Sequence, residues 1–182
     1  MKITLNLSIY LYFAILLLIL PVKWLIAWII AVCFHEACHY LAIKLCGGHS
    51  DQLQAGFGGA VISCSGLSNK KQLISLLAGP GGGLILVLLG RWFPRVALCN
   101  WVLSAYNLLP ILPLDGGQVL QLLIKNKKAF YVVEKAVLIT LTLFSIYISI
   151  VLQFGVLPII IVGMLWMKNR KSPCKEAVCK LQ

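Results

Sequence analysis

The sequence predicts an all-α polytopic membrane protein of about six transmembrane helices, with a short β-hairpin or a plain loop after the second. Three observations carry this expectation. The 182 residues are 60% hydrophobic and only 12% charged, and the mean hydropathy of +0.94 lies well outside the range of soluble globular chains. Apolar stretches recur from end to end with short polar breaks, so no segment remains for a soluble domain of ordinary size. The basic residues also fall on alternate ends of those stretches, as topology signals do.

Taken in order, the apolar segments are Leu5–Leu20, Val22–Leu45, Leu73–Leu89, Val96–Leu123, Tyr131–Leu152 and Phe154–Met167. The first follows a lysine like a signal peptide, but Leu-Pro-Val-Lys-Trp replaces a small-x-small cleavage site, so a retained helix is expected. The fourth holds Pro110, Pro113 and a Gly-Gly pair and the last holds Pro158, so both are expected to be kinked or broken. With both termini cytoplasmic, 13 of the 16 Lys and Arg residues fall on the inner side. Only Lys23, Arg91 and Arg95 fall outside. An odd number of crossings would scramble that alternation. One membrane-embedded domain, 1–182, with its core at 22–123, is the simplest organisation.

Between the second and third segments, residues 47–72 mix Gly56, Gly58 and Gly59 with Val61 and Ile62. This composition suits a short hairpin whose edge pairs with an extended peptide, or a connecting loop. The net charge of +11 is dispersed between apolar segments, which argues against nucleic acid as a partner and for the lipid bilayer. Seven cysteines without regular spacing read as reduced thiols. Cys174 and Cys179 lack the partners of a zinc knuckle.

The sharpest chemical signal is His35-Glu36-Ala37-Cys38-His39, an H-E-x-x-H pattern inside an apolar helix. Histidines four apart share one helical face, so both imidazoles reach one zinc ion, and Glu36 lies beside them to take a proton from water. Three polar residues at that depth are costly unless they pair or bind something. A catalytic zinc site needs a third protein ligand. The other acids are Asp51, Asp115, Glu134 and Glu176, and the other histidine is His49. Only Asp115 lies within an apolar segment and away from its end. His35 precedes Lys44 by about 13 Å of helix, and Asp115 precedes Lys125 by about 15 Å, so the two are expected at similar depth. His49 and Asp51 are the alternative ligands.

At this point the sequence resembles the site-2 protease family of intramembrane zinc metalloproteases, and within it the short sporulation-protease branch (stage IV sporulation protein FB-like). His35-Glu36-Ala37-Cys38-His39 matches the zinc helix. Ala78-Gly79-Pro80-Gly81-Gly82-Gly83 resembles the small-residue motif of the third core helix. The run from Asn107 to Gly117, with Pro110 and Leu114-Asp115-Gly116, matches the N-x-x-P-x-x-x-L-D-G-type motif, and Gly56-Phe57-Gly58-Gly59 resembles the family's hairpin. The resemblance covers about 22–123. It implies a Zn2+ cofactor, cleavage of a peptide bond in or near the membrane of a membrane-associated protein, and residence in a bacterial cell membrane. It implies also that Asn107 orients the substrate or the site, with simple helix packing as the other role for that residue. Cys38 stands where many relatives have glycine, and Gly83 where many have asparagine. No PDZ or nucleotide-sensing domain is expected, and any regulatory membrane partner is unknown. A metal or small-solute transporter, or a proteolytically inactive relative that binds membrane proteins, are the alternatives. A transporter has no use for Glu36 as a base.

Overall fold

The computed structural model describes residues 2–5, 21–56, 59–65, 67–88, 90–124, 126–151, 153 and 157–170, with the backbone alone described at 2–5, 49–56, 59–65, 157, 168 and 170. It divides into two compact units, Met1–Leu108 and Leu109–Gln182.

In the first unit, β1 (Lys2–Leu5) is followed by α1 (Val22–Leu45), β2 (His49–Gly56), β3 (Gly59–Ser65), α2 (Asn69–Val87) and α3 (Pro94–Asn107). The three strands form one sheet in the order β1-β2-β3. β2 and β3 pair antiparallel, with Leu53 opposite Ile62 and an irregularity between Ser50 and Gln52. β1 pairs with β2 in parallel. Leu5 therefore ends a strand, and the rest of the expected first crossing, 6–20, lies outside the described residues.

α1 starts directly after Pro21, whose restricted φ suits a position just before a helix. It stops in a Schellman motif, in which the Gly48 amide donates to the Ile43 carbonyl and the Gly47 amide to that of Lys44. Gly47 has φ +78°, a conformation that a side chain would strain. The buried residues of α1 include Ala27, Ala31, His35, His39 and Ile43, a single row spaced by four. α2 buries Ser75, Gly79 and Gly83 at the same spacing, and α3 buries Ala97, Asn100 and Ser104. Each of the three helices packs against the other two. Small residues at these crossings let the backbones approach closely, as membrane helices do in the absence of a hydrophobic drive between them. Ala27, Ala31 and Cys99 form the centre of one such contact, closed by Trp24, Trp28, Val96 and Leu103.

The second unit begins with the non-helical residues 109–114 and continues with α4 (Asp115–Leu123), α5 (Lys127–Val151) and α6 (Leu157–Arg170). α5 packs on α6 and on α4. The Trp166 indole donates to Thr142 Oγ1 at 3.1 Å, and the Lys135 ammonium lies 4.4 Å from the centroid of the same ring. The apolar stretch Val96–Leu123 is thus interrupted between Asn107 and Asp115, where Pro110 and Pro113 deny the helix its donors. Among the described residues, α1 and α5 are long and apolar enough to cross a membrane. The exposed residues of these helices include Ile26, Ile29, Ile30 and Leu41 on α1 and Val132, Ile139, Leu143 and Phe144 on α5, apolar side chains that suit contact with lipid. α2 falls short of that length of apolar sequence because it starts with Asn69, Lys70 and Lys71.

Candidate metal centre

The i, i+4 spacing brings His35 and His39 together on the buried row of α1, 3% and 8% exposed. Their rings meet edge to face, with centroids 4.7 Å apart. His39 Nδ1 lies 2.7 Å from the Ser75 carbonyl oxygen on α2, so this nitrogen carries the proton and donates. The Nε2 lone pair of His39 is thereby left facing His35 Nε2, 3.1 Å away. Asn107 at the end of α3 directs its amide Nδ2 at His35 Nε2 from 3.4 Å, which assigns a lone pair there as well. Tetrahedral zinc with nitrogen at 2.0–2.1 Å separates two ligand nitrogens by about 3.3–3.4 Å, close to the 3.1 Å between these two. The donor pair fits zinc.

Gly79 permits this geometry. A Cβ at position 79 would collide with the Nε2, Cε1 and Cδ2 atoms of His39, so the imidazole lies flush on the α2 backbone and thereby reaches Ser75 one turn earlier. Gly82 leaves the corresponding space for Cys38 Sγ, and Gly83 for Ser104 Oγ on α3. The small-residue motif is therefore a surface moulded to α1 and α3, and Cys38 and Gly83 each lie at one of these close approaches. Glu36 is half-buried, next to His35 on α1.

Asp115 is the first residue of α4, where the helix N-terminus favours a carboxylate. The chain before it folds back on that helix. Gly117 touches the backbone of Ile111 and Leu112, the Leu114 amide donates to the Ile111 carbonyl, and Gln118 Nε2 donates to the Pro113 carbonyl at 3.1 Å. His49 and Asp51 both lie in β2. Sequence reasoning missed two features. The Ser75 carbonyl as the partner of His39 was signalled only by the row Ser75, Gly79, Gly83. The other is the burial of Glu134 on α5, 0% exposed, with Oε1 accepting from the Leu112 amide at 3.0 Å.

No curated protein sequence matches the chain. The structure is similar to the site-2 protease from Methanocaldococcus jannaschii, with a TM-score of 0.68 and 18% sequence identity over 93% of this chain and 89% of that one. That likeness shows a shared fold. Residues 87–149, which include the run from Asn107 to Gly117 but not the His35–His39 helix, match Peptidase family M50.

Proposed function

We propose that this protein is an intramembrane zinc metalloendopeptidase that cleaves a peptide bond in or near the membrane of a membrane-associated protein. The observation that carries the proposal is the convergence of the His35 and His39 Nε2 atoms to 3.1 Å on one buried helix row, with Glu36 next in sequence to His35. The site-2 protease fold and the Peptidase family M50 segment support it. His35 and His39 would hold the ion with Asp115, which is chosen as the acid inside an apolar segment and within the matching L-D-G run. When bound, zinc would supply Lewis-acid polarisation of the scissile carbonyl. Glu36 accepts a proton from the attacking water and passes it to the leaving amine. The Asn107 amide, whose Nδ2 lies 3.4 Å from His35 Nε2, orients the substrate or the site. The substrate segment must be extended, because helical hydrogen bonding shields its peptide bonds.

The direct test is co-expression with single-span membrane proteins, reading release of a fragment that depends on intact His35 and Glu36. Purified protein should hold about one zinc per chain. Asp115→Ala should lower that content far more than Asp51→Ala does, and the opposite order would mean that the third ligand lies in β2.

Six crossings with both termini in the cytoplasm of a bacterial cell complete the proposal. Reporter fusions at the C-terminus and near Lys127 should both report the cytoplasm, since cytoplasmic flanks hold the basic excess. An external C-terminus would remove the reason for expecting His35 and Asp115 at one depth.

A further inference from the structure

We propose that Glu134 and Asn169 are positioning residues for the metal centre, a two-helix clamp that fixes the loop carrying Asp115. The inference rests on Asp115 being a zinc ligand. Glu134 lies two turns inside α5 and is 0% exposed, and Asn169 near the end of α6 is 1% exposed. The Leu112 amide donates to Glu134 Oε1 at 3.0 Å. Asn169 Nδ2 donates to that same oxygen and, at 3.4 Å, to the Leu112 carbonyl. One peptide residue thus has both its amide and its carbonyl held by side chains from two different helices.

A carboxylate and a carboxamide buried in an apolar bundle are costly, and apolar residues would pack α5 on α6 more simply. What they serve is visible in their partner. Ile111, Leu112 and Leu114 are buried in a stretch that is not helical, so the backbone polar groups of Leu112 must be satisfied from elsewhere. The Ile111–Leu112 peptide is also in close contact with Gly117. Leu112 is thus held both by the clamp and by the first turn of α4, and Asp115 follows three residues later, through Leu114, which is 3% exposed and bonded to Ile111. A ligand so close to a pinned peptide has little freedom to leave the ion. Outer partners of this kind are typically worth about 10- to 100-fold in metal affinity.

The test uses the full chain in detergent and reads two quantities. The first is zinc release to a chelator. The second is amide hydrogen exchange of the peptide covering 109–116 in zinc-free protein, which is independent of what binds the ion. Glu134→Ala should release zinc about 10- to 100-fold faster and raise exchange at 109–116. Glu134→Gln keeps an oxygen acceptor for both N–H groups and should stay within about threefold of wild type on both readouts. Leu138→Ala, one turn along α5 at a 0% exposed position, is the control for lost packing and should destabilise the fold without speeding release. Wild-type zinc release in Glu134→Ala, or equal acceleration in Leu138→Ala, would overturn the clamp. If Glu134→Ala does not fold, Asn169→Leu takes its place with the same expected and overturning results. Asp115→Ala separates the two levels. If it loses zinc while Glu134→Ala does not, only the clamp fails, and if it retains zinc like wild type, the ligand assignment fails and the clamp with it.

Discussion

Glu36→Gln is expected to slow substrate cleavage by about 10² to 10⁴ while zinc stays bound, since that is what general-base catalysis is ordinarily worth. Glutamine keeps the size and most of the hydrogen-bonding capacity of the side chain but cannot accept the proton that water must lose. His35 and His39 are untouched, with the Ser75 carbonyl still fixing the His39 tautomer, so fold and metal content should match wild type. His35→Ala should instead lose metal and cleavage together. Comparing the two variants separates proton transfer from metal binding. Cleavage by Glu36→Gln at near the wild-type rate would rule out the proposed hydrolytic mechanism and favour a transporter or a scaffold.

The second large effect should come from one methyl group. In Gly79→Ala the new Cβ coincides with the His39 imidazole, and a ring has no flexible end to move aside. α2 cannot retreat toward α3 as relief, because Gly83 is already seated on Ser104. The ring must swing away, which breaks its bond to Ser75 and carries Nε2 out of line with His35. Zinc affinity should fall by at least about 100-fold, the upper range for losing an outer partner, because here the ligand itself moves. Gly81→Ala is the matched control. Position 81 has open space around its hypothetical Cβ, and alanine favours the helix over glycine by about 1 kcal/mol. Zinc titration of both variants, with thermal unfolding, checks the pair. Normal zinc binding in Gly79→Ala would show that His39 is not held against α2 as described.

The sequence carried the histidine pair plainly, because four-residue spacing on a helix leaves no choice about which face they share. The interruption between Asn107 and Asp115 was equally readable, since Pro110 and Pro113 cannot sit in an unbroken ladder. Other features depended on which helix lies against which. The row Ser75, Gly79, Gly83 announces a close approach but does not say that an imidazole fills it. Glu134 was passed over for a physical reason: Lys135 follows it and Lys127 and Lys128 precede it, so it looked like a charge at the end of a span. α5 begins at Lys127, which puts Glu134 two turns inside, while Lys135 turns to the Tyr131 and Trp166 rings. A buried acid next to an aromatic-bound lysine cannot be told by composition from two surface charges.

His39 takes its orientation from a main-chain oxygen, and that changes where heredity can damage the site. The Ser75 hydroxyl turns back to the Lys71 carbonyl, so the side chain at 75 is a bystander and its replacement leaves the acceptor in place. Vulnerability passes one turn along, to a residue that forms no bond to the histidine at all. Position 79 contributes by having nothing there, so random mutation should strike hardest at the permissive glycine and spare the partner that makes the contact.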